Sequence, residues 1–166
     1  VDVTDNLTFL PDDRFIWTSE KDGFNHIYLH DTDGSEQYQL TSGPWEVTSY
    51  YGYDAENRRI FYQSSEQGSI YRDVYSISDR GRQKQRLSTG SGTSRASFSA
   101  DFSYFINTFS NVETPPVYTL HMAKNGQLVQ ELKHNRTLLE TLKGYELAPK
   151  EFSTLQVNGN DLNMWM

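Results

Sequence analysis

The sequence predicts an all-β fold, about three four-stranded antiparallel blades of an incomplete β-propeller, with one short helix near residues 137–143. Three observations carry the prediction. A strand-rich block recurs three times, polar turns separate short alternating segments, and helical periodicity is nearly absent from the rest of the chain.

The first block contains Phe15-Ile16-Trp17-Thr18-Ser19, then His26-Ile27-Tyr28-Leu29-His30-Asp31, then Gln39-Leu40-Thr41-Ser42-Gly43. In the second, Arg59-Ile60-Phe61-Tyr62-Gln63-Ser64 is followed by Asp73-Val74-Tyr75-Ser76-Ile77-Ser78-Asp79 and Arg86-Leu87-Ser88-Thr89-Gly90. The third offers Tyr104-Phe105-Ile106-Asn107-Thr108, Val117-Tyr118-Thr119-Leu120-His121 and a weaker Gln127-Leu128-Val129-Gln130. Aligning Tyr28, Tyr75 and Tyr118 gives steps of 47 and 43 residues, the period of a four-stranded propeller blade. Each block also has an opening segment, at Leu7–Phe9, Val47–Tyr53 and Arg95–Ser99. Turns such as Asp31-Thr32-Asp33-Gly34 reverse the chain within a few residues, as a meander requires.

Helical spacing emerges only at Thr137-Leu138-Leu139-Glu140-Thr141-Leu142-Lys143-Gly144, where three leucines share a face and Gly144 can end the helix. Beyond Pro149 the pattern is a hairpin, Phe152–Val157 and Leu162–Met166, joined through Asn158-Gly159. Three blades cannot close a ring, and the chain opens on Val1 and stops within an apolar alternating stretch, so it reads as a piece of a longer propeller.

Composition narrows the function. Fifteen Lys and Arg against 22 Asp and Glu leave a net charge of -7 with no basic cluster, which argues against nucleic acid as a partner. Without cysteine there are no disulfides, thiolate nucleophiles or Cys-based zinc sites. No apolar run approaches the roughly 18 residues of a membrane span. Aromatic residues at 14% of the chain supply a core despite a mean hydropathy of -0.72.

Three motifs carry a family resemblance: Trp45-Glu46-Val47 after Thr41-Ser42-Gly43-Pro44, Pro115-Pro116-Val117-Tyr118-Thr119-Leu120-His121, and Ser153-Thr154-Leu155-Gln156-Val157-Asn158-Gly159-Asn160-Asp161-Leu162-Asn163-Met164-Trp165-Met166. They resemble the dipeptidyl peptidase IV branch of the prolyl oligopeptidase family, along essentially the whole chain. The Ser19–Tyr28 run and the lack of cysteine look more like its bacterial members. The resemblance implies the last blades of an eight-bladed N-terminal propeller and the crossing into an α/β-hydrolase domain. It further implies a serine exopeptidase that removes N-terminal dipeptides whose second residue is Pro or Ala. The units expected are a blade over residues 1–43, a second over 44–90, a third over 91–135, and a helix and hairpin over 136–166 leading toward the hydrolase domain. None of the family's catalytic or substrate-anchoring residues maps here, since there is no Gly-x-Ser-x-Gly elbow and no adjacent Glu pair. The chain by itself is therefore expected to be inactive, a scaffold and gate with no catalytic, cofactor-binding or metal-binding residue, and with no cofactor.

Single motifs read more simply as packing or turns than as sites. His26 and His30 lie on one face of a strand but about 13 Å apart at the extended rise, too far to share a metal ion. His121 and His134 read as blade-edge residues. Asp31-x-Asp33-Gly34 lacks the remaining ligands of a calcium loop and reads as a hairpin turn. Thr89–Ser94 is glycine-rich, but without a Lys and a following helix it reads as a connection between blades. Asn6-Leu7-Thr8 and Asn135-Arg136-Thr137 match the glycosylation pattern, a short signal irrelevant to a bacterial source. Trp45, Tyr50, Tyr51 and Tyr53 could stack a sugar or peptide, yet packing is the simpler account; Trp17 and Tyr28 recur with Phe61 and Tyr75, whereas Trp45 breaks the repeat.

The alternative is a non-enzymatic binding propeller like the TolB-type repeats. A carbohydrate-active propeller would need paired carboxylates, for which only Glu46 and Asp54 offer a loose hint. Expected partners are the remaining blades, the protein's own hydrolase domain and peptide substrates, together with self-association of the fragment through its open flanks. The family resemblance points to the periplasm or the cell surface.

Overall fold

A computed structural model describes residues 6–145, 147–148 and 150–166, so the first five residues of the expected first unit, and Pro149, lie outside the described residues. Twelve strands form three four-stranded antiparallel meanders. The first holds β1 (Thr8–Phe9), β2 (Phe15–Ser19), β3 (His26–His30) and β4 (Glu36–Gln39). The second holds β5 (Val47–Asp54), β6 (Arg59–Ser64), β7 (Asp73–Ser78) and β8 (Gln85–Arg86). The third holds β9 (Thr93–Phe98), β10 (Tyr104–Ser110), β11 (Val117–Met122) and β12 (Leu128–Lys133). After them come α1 (Arg136–Lys143) and a hairpin of β13 (Phe152–Val157) and β14 (Asn160–Trp165).

The sheets pack face to face, as successive propeller blades do. Ile16, Ile27 and Leu29 of the first sheet meet Ile60, Tyr62, Tyr75 and Ile77 of the second. The opposite face of the second sheet sends Phe61, Val74 and Leu87 against Phe105 and Ala123 of the third. The middle sheet is thus covered on both sides, and β6 and β7 are buried almost without alternation. The flanking sheets alternate: Ile16 is fully buried and Trp17 is 45% exposed, while Phe105 is 1% and Ile106 38% exposed. Phe9, Tyr104 and Tyr118 also face outward on these open flanks.

Strand pairing revises the tyrosine alignment. Tyr28 pairs with Trp17 and Tyr75 with Tyr62, so Tyr62, not Phe61, is the counterpart of Trp17. In the third sheet the corresponding pair is Asn107 and Thr119, and Tyr118 turns to the far face. A slip of one residue exchanges the faces of a strand, and matching tyrosines by identity made that slip. The ring filling the interior there is Phe105, stacked on His121 at 5.1 Å.

The Asn158-Gly159 turn has φ of 50° and 82°, the positive pair that a two-residue hairpin of this twist demands. Helix α1 starts one residue before the expected Thr137. Asn135 precedes it at φ 51° without capping through its side chain, which instead donates to the Pro116 carbonyl. None of the helix's residues is buried.

Candidate functional site at the hairpin end of the sheets

Strands β5, β7 and β9 begin, and β6 and β10 end, at the side of the sheets where the hairpin lies. The hairpin is tied there by Asn163, whose Nδ2 donates to Ser69 Oγ at 2.6 Å. Between them runs an open groove of about 510 Å³ lined by Ile70, Tyr71, Ser91–Thr93, Ser110–Val112, Lys150 and Phe152. Its floor is stitched across sheets. Arg72 N–H donates to the Gly92 carbonyl at 3.0 Å, and Ser94 N–H returns to the Arg72 carbonyl at 2.8 Å. The Arg72 guanidinium holds the turn before it, its Nη1 donating to the carbonyls of Ser69 and Tyr71.

Beside this groove, and sharing Thr93 with it, a recess of about 450 Å³ opens between β5 and β9. Gln63 organises its wall, accepting from Thr48 Oγ1 at 2.7 Å and donating to the Ser94 carbonyl at 2.6 Å. The Tyr51 hydroxyl accepts the Ala96 N–H at 3.1 Å. Burial raises the Tyr51 phenol, against which the Ala96 N–H and the nearby charge of Arg95 act. A third hollow, of about 580 Å³, lies at the opposite strand ends around Asp54, Arg59, Asp101 and Lys124.

Most residues singled out from sequence are engaged in packing. His26 is buried; its Nε2 donates to the Gly43 carbonyl at 3.0 Å, and Nδ1 faces the Thr41 hydroxyl at 3.2 Å. Its ring meets Trp45 edge-on at 4.9 Å. Trp45, the outlier of the repeat, is thereby part of the interior between the first two sheets. His30 stacks on Phe15 at 5.1 Å. His121 is not at a blade edge as expected: it is buried in β11, with Nδ1 donating to the Gly126 carbonyl at 2.8 Å and Nε2 facing Thr119 Oγ1 at 2.8 Å. His134 is exposed just past β12.

Asp31 and Asp33 form the β3–β4 turn, where Asp33 accepts the Ser35 N–H and Asp31 accepts from Gln37. The 89–94 segment joins the second sheet to the third, its Gly90 carbonyl taken by Arg86. Tyr50 and Tyr53 pack on the first interior and Tyr51 on the second. Glu46 precedes β5 and Asp54 ends it, about 26 Å apart at the extended rise, so they form no carboxylate pair. Among the described residues no cluster of three or more His, Asp or Glu side chains could hold a metal ion. Nor does any helix there have the length and apolarity to cross a membrane.

Sequence reasoning passed over Arg72 and Arg95. The available signal was a cation in an opening strand for Arg95 and one just before the third strand of a repeat for Arg72, but its value depends on which strands meet across the sheets.

The family described as Dipeptidyl peptidase IV (DPP IV) N-terminal region matches residues 1–116. A protein described as a probable dipeptidyl peptidase 4 in Emericella nidulans is 31% identical over 153 residues, covering 90% of this chain and 20% of that protein. Its counterpart in Aspergillus flavus is 32% identical over 158 residues, with 92% and 20% coverage. The chain spans about a fifth of the length of these curated relatives. Among solved structures, dipeptidyl peptidase 4 of Porphyromonas gingivalis is similar with a TM-score of 0.88 and 42% identity, over 96% of this chain and 23% of that one.

Proposed function

The chain belongs to the dipeptidyl peptidase IV N-terminal family, and on that premise we propose that it is the part of a β-propeller that scaffolds and gates the site of a serine exopeptidase releasing X-Pro and X-Ala dipeptides. The observation that carries this reading is the likeness to a dipeptidyl peptidase 4 over 96% of the chain. The catalytic serine, aspartate and histidine belong to a hydrolase domain approached through that hairpin. The blades exclude folded proteins and admit short peptides. In this reading the units are 1–43, 44–90 and 91–135 as blades and 136–166 as the connection, a division supported by the one-sheet-per-unit arrangement.

The remaining blades of the parent protein cover the flanks that carry Trp17 and Ile106, and the excised chain self-associates through the same faces. Sedimentation at high concentration tests the second point, with a persistent monomer counting against it. The periplasm or the cell surface is the compartment, to be checked by fractionation of the source cells.

Turnover of a Gly-Pro chromogenic substrate decides the main proposal. The 166-residue chain alone should give none, and the full-length protein that contains it should cleave the substrate. Hydrolysis by the chain alone would overturn the division of roles, and an inactive full-length protein would overturn the peptidase assignment.

A further inference from the structure

The first strands of the second and third sheets, β5 and β9, approach each other across the sheet boundary. The last strands β4 and β12 are exposed along their length. In a radial array the strands that converge line the axis, so the 450 Å³ recess sits on the inner side, at the end toward the hairpin.

Its chemistry is one-sided. Arg72 and Arg95 both line it, and no Asp or Glu does among the described residues, although the chain carries a charge of -7. Arg95 is exposed and has no ion pair or hydrogen bond to its guanidinium among the described residues. Arg72 uses Nη1 on two carbonyls, which leaves its other N–H groups free. The neutral hydroxyls differ. Those of Thr48 and Ser49 are spent on Gln63 Oε1 and the Thr48 carbonyl. Tyr51, by contrast, accepts from Ala96 and keeps its own proton to donate. The charge of Arg95 is felt at that phenol.

Free donors thus outnumber free acceptors, around two cations, Arg95 on β9 and Arg72 at the bridge to Thr93 just before β7. Guanidinium groups bind carboxylates with a directional, charge-assisted fork that an amide cannot match. We propose that this recess is a carboxylate subsite, in which Arg95, Arg72 and the Tyr51 hydroxyl hold an acidic side chain or the C-terminal carboxylate of a peptide. This deepens the peptidase reading and rests on it for the peptide's delivery.

The test uses the full-length protein and three peptides beginning Gly-Pro: one with an internal Glu and an amidated C-terminus, one with Gln and an amidated C-terminus, and one with Gln and a free C-terminus. At least one carboxylate-bearing peptide should exceed the neutral one in kcat/KM by roughly 2- to 5-fold, the worth of a partly exposed charged contact, and the margin should shrink with added salt. Which of the two does so identifies the source of the carboxylate. Arg95→Gln should bring the ratio close to 1, while Arg95→Lys retains part of it. Equal kcat/KM for all three peptides, or a ratio that Arg95→Gln leaves untouched, overturns the subsite.

Gly-Pro p-nitroanilide has no carboxylate and reports the peptidase reading separately. Should it go uncleaved, amide shifts of Tyr51 and Ala96 in the 166-residue chain, titrated with N-acetyl-Glu-amide against N-acetyl-Gln-amide, decide the subsite alone. A shift specific to Glu sustains it, and identical responses remove it.

Discussion

The guanidinium of Arg14, just before β2 of the first sheet, reaches Asp79, just past β7 of the second, at 3.2 Å. Asp79 is 2% exposed and also takes Arg58 at 2.7 Å and the Tyr53 hydroxyl at 3.4 Å. One carboxylate therefore ties the turns of two sheets. Arg14 is only 13% exposed and without Asp79 keeps Asp12, at 2.6 Å, as its one remaining carboxylate, whereas Arg58 is half exposed and can rehydrate. Asp79→Ala should lower stability by about 1–3 kcal/mol, and Arg58→Gln by distinctly less. Urea denaturation of both variants checks this, and equal losses would show that the network does not bridge the sheets as described.

Gly126, in the β11–β12 turn, sits at φ 72° with the position of an added Cβ only 2.5 Å from the Leu87 carbonyl oxygen of the neighbouring sheet. Backbone cannot yield there as a flexible side chain would. Gly126→Ala should cost about 2–4 kcal/mol, combining left-handed strain with overpacking. Gly159 has φ 82° and open space around it, so Gly159→Ala should cost only about 1–2 kcal/mol. Matching thermal shifts in the two variants would count against a tight contact between the second and third sheets.

The repeats were legible because alternation and turn chemistry are local. Phe15–Ser19 and Asp31–Gly34 declare strand and turn without help from distant residues. Facing was not legible in the middle sheet. Arg59-Ile60-Phe61-Tyr62-Gln63 is buried on both sides, so its sequence has no polar beat to show which ring points where. The pattern alone therefore equates Phe61 with Trp17, whereas strand pairing gives Tyr62 that place. The fate of His26 is set by Thr41 and Gly43 in another part of the sheet. Arg95 gains its place beside Tyr51 only when β9 docks on β5.

The Tyr62 hydroxyl is buried with no hydrogen-bond partner among the described residues, and its ring stacks on Tyr75 at 5.6 Å. Burial, followed by the nearby Glu66 charge, pushes its phenol well above the ordinary tyrosine range. An unpartnered buried hydroxyl is a liability, since water has been given up and nothing replaces it. Tyr62→Phe should leave stability unchanged or raise it by about 1 kcal/mol, while Tyr62→Ala should lose about 3–5 kcal/mol from the emptied interior. A large loss in the Phe variant, read from its urea midpoint, would reveal a partner for the hydroxyl.

Asp101 closes the β9–β10 turn by accepting Ser99 Oγ at 2.6 Å and Ser103 Oγ at 2.7 Å, with the Ser103 N–H at 3.1 Å. These donors favour the carboxylate and hold its pKa at about 2, against an ordinary 3.8. Because the folded value is the lower one, the unfolded chain binds this proton first as pH falls. The turn's contribution is then complete above the ordinary carboxylate range and disappears as pH drops through about 2. A carbon-13 titration of the Asp101 carboxyl should give a midpoint near 2, and the Ser99→Ala, Ser103→Ala double variant should return it toward 3.8. A midpoint already at the ordinary value in the unmodified chain would mean that the two hydroxyls do not point at the carboxylate in solution.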